Sequence, residues 1–261
     1  MVSPFASDAA GLVVYPTICH RLSQGARACV EHARAQYSGV CVRLCLLSDY
    51  PVIPSTTAEL DYHLSSVRHC AMALVQQGHQ VYWLLSAESL QSFQAEPALA
   101  SAAADVLPPT CRYIVPVQPY ECAGVRLLCV DQQVWHHPDL HTRLFTFVCL
   151  LQRAISCAVF HAWGTLSVAY LTAYTARFLA VPAVVSYGWQ LRSAQPQQPF
   201  LWDWVARHVS AAVVPSMAEY ERLLTHSPLT PTQLHVIDPR QSAVGQTLTT
   251  LYMHVSDAVT P

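Results

Sequence analysis

Short apolar runs alternate with longer amphipathic segments along most of the chain. Residues 42–47 form an apolar run interrupted only by Arg43, and across 57–77 leucine, valine and alanine recur at steps of three and four. The first pattern is typical of a buried strand and the second of a helix. Gly78 ends the helical pattern, and a second apolar run follows at 81–85. This order predicts a βαβ unit, in which the two strands lie parallel.

The alternation continues to the end of the chain. Further strands are predicted at 113–117, 125–130, 158–161, 183–186, 211–214 and 234–237, and further helices at 90–105, 139–156, 166–179, 200–208, 216–225 and 244–258. Strands that alternate with helices need right-handed crossovers and lie parallel to one another. The chain is therefore predicted to be α/β, a single doubly wound Rossmann-like domain with a parallel sheet of about six to seven strands.

The pattern divides the chain into three unequal parts. Residues 1–40 predict an N-terminal extension that is partly helical, at 26–37. The Rossmann-like domain is expected over 41–239. Residues 240–261 contain the closing helix, and we expect its apolar stripe to pack back on the domain; the stripe consists of Leu248, Leu251, Tyr252 and Val255.

Composition narrows the classes of function. Hydrophobic residues make up 52% of the chain and charged residues 11%, which predicts a packed core and not a disordered chain. The basic residues are scattered, so nucleic acid is not an expected partner. The first residues lack the basic and apolar regions of a signal peptide, and no run reaches the ~18 apolar residues of a membrane span. Because the ten cysteines also contain no CxxC pair, we expect a cytoplasmic protein with no transmembrane segment.

Common cofactor and metal motifs are missing from the sequence. The chain contains neither a GxGxxG nor a GxxxxGKS/T fingerprint, so we predict no dinucleotide cofactor and no P-loop. One group of potential ligands consists of His136, His137, Asp139 and His141. These residues flank the start of a predicted helix without the spacing of a metal site, and we predict no metal there.

Candidate binding residues follow the carboxyl ends of the predicted strands, where open α/β sheets hold their ligands. Asp49, Tyr50 and Glu59 follow the first strand. The other candidates follow the strands at 158–161, 183–186 and 211–214; they are His161, Trp163, Gly164, Tyr187, Gly188, Trp189 and Ser216.

Several of these positions lie in stretches that are similar to a known family. Gly78, His79 and Val81 follow a first strand, loop and helix at 43–77, and three later stretches are FHAWGTLSVAYLTAYTARFLAVPAVVSYG from 160, AAVVPSMAEYERLL from 211 and LHVIDP from 234. In order and spacing they resemble the N-terminal, acceptor-side domain of family 4 GT-B glycosyltransferases. The resemblance covers 41–239 and implies half of a GT-B architecture and transfer from a nucleotide-sugar.

Two departures from the family pattern qualify the resemblance. The family has paired glycines in the loop after the first strand, where this chain has Ser55, Thr56 and Thr57, whose side chains crowd an approaching phosphate. After Ile237 the family continues into a donor-binding domain, whereas here the closing helix follows almost directly. That helix resembles the one by which GT-B chains return to their first domain, which implies that the donor-binding domain has been excised; the alternative is an unrelated amphipathic helix that packs on the sheet.

The resemblance also implies roles for individual residues, each with a structural alternative. His161 matches the family histidine that faces the donor sugar, where it would bond a hydroxyl; the alternative is a histidine hydrogen-bonded within the protein. An aromatic wall for a sugar is implied for Trp163, Tyr187 and Trp189, and the alternative is packing. Asp49 and Glu59 would contact acceptor hydroxyls or cap nearby amides. Ser216 is expected to be a helix cap before it is a ligand contact.

Two functions follow from these expectations. The first is the acceptor-binding half of a sugar transferase, which needs a separate donor-binding chain because stabilising the leaving diphosphate requires groups that the missing domain would supply. The second is a degenerate, non-catalytic domain that binds a sugar or a partner as a scaffold. In either case the expected partners are a sugar or glycosylated acceptor and, through the cleft at the carboxyl edge, a donor-domain protein or a second copy.

Overall fold

The computed structural model describes residues 41–48, 57–86, 107, 114–115, 117–131, 138–187 and 197–258, with the backbone alone at 57–64 and 138–141. Its strands are β1 (Arg43–Ser48), β2 (Gln80–Ser86), β3 (Val117–Cys122), β4 (Val125–Val130), β5 (Val159–Trp163), β6 (Ala183–Ser186), β7 (Ala211–Val214) and β8 (Leu234–Val236). Its helices are α1 (Thr57–Gln76), α2 (Pro138–Ile155), α3 (Leu166–Leu179), α4 (Pro199–His208), α5 (Met217–His226) and α6 (Val244–Ala258).

The strands form one mixed sheet in the order β3-β4-β2-β1-β5-β6-β7-β8. Every neighbouring pair is parallel except β3 and β4, which pair antiparallel. The predicted α/β class is therefore confirmed, with eight strands in the described part of the chain. The chain runs from β1 outward to one edge and then from β5 outward to the other, so the order of strands reverses between β1 and β5.

The strand predicted at 113–117 is wrong in position. The strand lies at Val117–Cys122 and forms a hairpin with β4 through Ala123 and Gly124, whose φ angles are 49° and 80°. Two positive φ angles suit a tight hairpin turn. The sequence predicts that Pro116 and Pro119 close this strand, but Pro119 lies within β3 and does not end it. A proline is tolerated there because β3 is an edge strand with one side unpaired in the described sheet.

The two faces of the sheet are covered by different helices. Side chains alternate along each strand, so that in β5 Phe160 points to one face and His161 to the other. The first face packs against α2, α3, α4 and α5 around residues such as Phe147 and Trp202. The second face packs against α1 and α6. Within the described chain, no helix is both long and apolar enough to cross a membrane.

The closing helix α6 packs tightly on α1. Its predicted apolar stripe is buried in the second core, together with Val244. Gly245 lies so close to α1 that an added Cβ would be 2.7 Å from the carbonyl oxygen of Ala73. Only residues 237–243 connect β8 to this helix. The helices predicted at 26–37 and 90–105 lie outside the described residues.

Candidate functional site

The candidate site is the edge at which the parallel strands end. Ser48, Ser86 and Ser186 are the last residues of β1, β2 and β6, and all three are buried. Ser48 accepts a hydrogen bond from the indole Nε1 of Trp83 at 2.7 Å. The hydroxyl of Ser186 lies 2.8 Å from Nε2 of His161. The hydroxyls of Ser48 and Ser186 are therefore hydrogen-bonded within the protein.

His161 lies inside the second core and not at the surface of the edge. Its side chain is 1% exposed. The ring atom Nδ1 is 2.5 Å from the hydroxyl of Tyr252, and Nε2 is bonded to Ser186. Burial lowers the pKa of the imidazole to about 3, so the ring is neutral at neutral pH. One ring nitrogen therefore donates and the other accepts, and this geometry corresponds to the structural alternative for His161.

Trp163 and Tyr187 do not form one aromatic wall. Trp163 is buried in the second core, with its ring centroid 5.0 Å from that of His161. Tyr187 is buried in the first core, on the opposite side of the sheet, where its ring lies 5.0 Å from Trp202. The alternation of side chains along the strands separates the two rings. Both residues therefore pack as core, which is the structural alternative for them.

Ser216 is the N-cap of α5. Its hydroxyl accepts a hydrogen bond from the backbone N–H of Glu219 at 3.3 Å. Arg222 lies one turn further, pairs with Glu219 at 3.0 Å and donates to the hydroxyl of Tyr187 at 2.5 Å. The predicted capping role is confirmed, and Tyr187 is held by the same helix.

The structure describes only some of the remaining predicted residues. Gly164 follows β5 directly with a φ of 144°, in the region that favours glycine, and is buried. The N-terminus of α3 begins two residues later at the same edge, and its first turn contains no acidic residue. Glu59 lies in the first turn of α1, where the structure describes the backbone alone. Asp49, Tyr50, Gly188 and Trp189 lie outside the described residues, as do His136 and His137.

A second buried histidine was not recognised from the sequence as a structural residue. Nδ1 of His79 accepts from the backbone N–H of Val42 at 3.0 Å, which makes Nε2 the protonated nitrogen. Nε2 then donates to the hydroxyl of Thr249 on α6 at 2.7 Å, and Thr249 donates to the carbonyl oxygen of Gly245. Burial lowers the pKa of His79. The sequence shows a histidine directly after Gly78, but it does not show that the partner of this histidine, Thr249, lies 170 residues further along the chain.

The cysteines of the described chain behave as small apolar side chains. All seven that are described are free thiols, and five of them are buried. Burial raises the pKa of Cys70 and of Cys129 to about 12, which keeps both thiols protonated and unreactive. Among the described residues, no group of three or more histidine, cysteine, aspartate or glutamate side chains is arranged to hold a metal ion.

Comparison with known proteins adds no family to this description. The sequence matches no protein-family model, and a search of curated proteins finds no significant match. The similarity to family 4 GT-B glycosyltransferases therefore rests on the four sequence stretches alone.

Proposed function

We propose that this chain is the acceptor-binding half of a nucleotide-sugar-dependent glycosyltransferase and needs a separate donor-binding chain for catalysis. The fold supports the proposal, because open, mostly parallel sheets bind ligands at the carboxyl edge where the strand order reverses, and here it reverses between β1 and β5. The bend at Gly164 and the N-terminus of α3 lie at that edge. A helix N-terminus favours anionic or hydroxyl groups of a ligand.

The short connection between β8 and α6 is the observation on which the proposal depends. In the resembling family the donor-binding domain occupies this place, whereas here residues 237–243 alone join strand to helix. Departure of a nucleoside diphosphate creates negative charge that must be stabilised by cations or helix dipoles. In this proposal those groups come from a partner chain.

A turnover assay tests the proposal. The full chain is incubated with uridine- and guanosine-diphosphate sugars and with oligosaccharide acceptors, and release of the nucleotide is measured. We expect no turnover by the chain alone, and calorimetric binding of an acceptor without binding of the nucleotide-sugar. Turnover by the isolated chain would refute the dependence on a partner, and absence of acceptor binding would refute the acceptor-binding role.

A second candidate function is a non-catalytic scaffold derived from a glycosyltransferase. The geometry of His161 favours it, because both ring nitrogens are bonded to hydroxyls of the chain and the ring is buried. Such a histidine stabilises the fold and leaves no ring nitrogen for a sugar. The same calorimetric titrations distinguish the candidates, since a scaffold that acts only on a partner protein binds neither acceptor nor nucleotide-sugar.

A further inference from the structure

The outer surfaces of α3 and α4, with a neighbouring residue of α2, carry an unusual concentration of aromatic side chains. We call this surface the aromatic face; it consists of Phe145, Tyr170, Tyr174, Phe178, Phe200 and Trp204. On α3 the three aromatic residues are spaced by four, and on α4 the two are also spaced by four. This spacing places each set on one side of its helix.

Tyr174 and Phe200 are the exposed members of the aromatic face, whereas Phe145, Tyr170, Phe178 and Trp204 are half-buried and pack against the first core. Phe200 is 84% exposed and Tyr174 40% exposed. Ring centroids of Tyr174 lie 5.3 Å from Phe145 and 6.3 Å from Trp204, which links the three helices. The outer helices of an α/β domain normally present polar side chains to water, and exposed apolar patches of this kind mark interaction sites.

Positive charge accompanies the aromatic rings. Arg177 and Arg207 are exposed and lie three residues after Tyr174 and Trp204, on the same sides of α3 and α4. Neither arginine forms an ion pair within the described residues. Among the acidic residues whose side chains are described, Asp203 alone belongs to α2, α3 or α4, while the other six lie elsewhere. The surface therefore complements an anionic partner, although the whole chain has a net charge of −2.

We propose that the aromatic face docks the protein on the surface of an anionic phospholipid bilayer. Tyrosine and tryptophan combine an apolar ring with a polar group and are enriched at the boundary between headgroups and acyl chains. Phe200 is the most exposed ring and would enter the apolar layer, while Arg177 and Arg207 contact lipid phosphates. A second copy of the chain fits the surface less well, because it would bring the like charges of Arg177 and Arg207 of two molecules together.

Vesicle sedimentation with the full chain tests the proposal. We expect binding to phosphatidylcholine vesicles that contain about one third phosphatidylserine, and much weaker binding to phosphatidylcholine alone. Raising the salt concentration should weaken the binding, because it screens the arginine–phosphate attraction. Replacing Arg177 and Arg207 with glutamine should lower the partition coefficient by about fivefold for each residue. The double variant Tyr174→Ser, Phe200→Ser should lower it by about tenfold or more, because it removes the inserted rings.

Matched variants elsewhere on the surface serve as controls. Met217 and Met253 are 56% and 47% exposed on α5 and α6, and Arg240 is exposed beside Asp238. Met217→Ser, Met253→Ser and Arg240→Gln should each retain the partition coefficient of the wild type. The proposal is overturned if the chain ignores anionic vesicles, if it binds neutral vesicles equally well, or if the controls lose as much binding as the variants of the aromatic face. It is also overturned if sedimentation equilibrium shows a dimer that Phe200→Ser dissociates, since the occupant is then a second copy.

Discussion

The two faces of the sheet use polar and aromatic side chains in opposite ways. On the face of α1 and α6, buried histidines are hydrogen-bonded across the interface, His79 to Thr249 and His161 to Tyr252. On the face of α2 to α5, the core is mostly apolar, and aromatic residues with nearby arginines lie on the outer surface of α3 and α4. The second face, with α1 and α6, is held together by these specific polar contacts. The outer surface of the helices on the first face carries the aromatic face that we propose as a docking surface.

The comparison teaches that residue type alone is a poor guide to where function lies. His161 is at a strand end in a stretch that resembles a transferase, yet both ring nitrogens are used to join α6 and β6 to β5. Tyr174 and Phe200 occur at helical spacing that is typical of core residues, yet they are exposed. Each of the following experiments tests this division of roles between the faces.

The largest expected effect is the loss of stability on acidification. The pKa of His161 is about 3 in the folded chain and roughly 6.5 in the unfolded chain. The unfolded state therefore binds more protons between these values, so the contribution of the neutral ring is complete above about pH 6.5 and is lost as the pH falls. Urea unfolding should show a decrease in the free energy of unfolding of about 3 kcal/mol from this residue between roughly pH 7 and 4.

The variant His161→Gln isolates that contribution. Glutamine does not titrate, so the variant should show a flatter dependence of stability on pH across the same range. Parallel pH profiles for wild type and variant would mean that the buried ring is not the source of the acid sensitivity.

Replacing His161 with alanine should destabilise the protein by about 3 kcal/mol at neutral pH, since it leaves a cavity and two buried hydroxyls without their partner. Those hydroxyls belong to Tyr252 and Ser186. The matched control is His254→Ala on the exposed side of α6, which should change the free energy of unfolding by less than about 0.5 kcal/mol. Equal effects of the two substitutions in urea titrations would mean that the buried hydrogen bonds of His161 do not stabilise the second face.

Gly245→Ala tests the close contact of α6 with α1. The new Cβ would lie 2.7 Å and 2.9 Å from backbone atoms of Ala73, so one helix must move. We expect a loss of about 2 kcal/mol from this overpacking. Gln246→Ala, one residue along on the exposed side of the helix, is the control and should not destabilise. A Gly245→Ala protein as stable as the wild type would contradict the tight packing of α6.

The smallest effect is expected on the aromatic face. Phe200 is 84% exposed, so Phe200→Ser should change the free energy of unfolding by less than about 0.5 kcal/mol. Urea unfolding measured with the same protocol checks this value. A large loss would assign Phe200 to the stabilisation of α4 and weaken the contrast between the two faces.

Many secondary-structure elements were predictable because their patterns are local. The apolar runs predicted β6 and β7, and the apolar spacing predicted α3 and α6, with the bounds that the structure has. β3 was misplaced because a proline ends most strands but is tolerated at an edge, and sequence alone does not say which strand lies at the edge. The capping role of Ser216 was predictable for the same reason as α3 and α6, since a cap acts within one helical turn.

The candidate site depended on contacts that sequence spacing does not contain. His161 meets Tyr252 across 91 residues and His79 meets Thr249 across 170 residues. Trp163 and Tyr187 lie on opposite sides of the sheet, because each side chain takes its side from its position along its strand in the assembled sheet. The sequence by itself determined the alternation of strands and helices, because backbone propensity and apolar period act over a few residues. Only the tertiary structure decided which polar groups are buried and paired, because burial depends on what packs against each face.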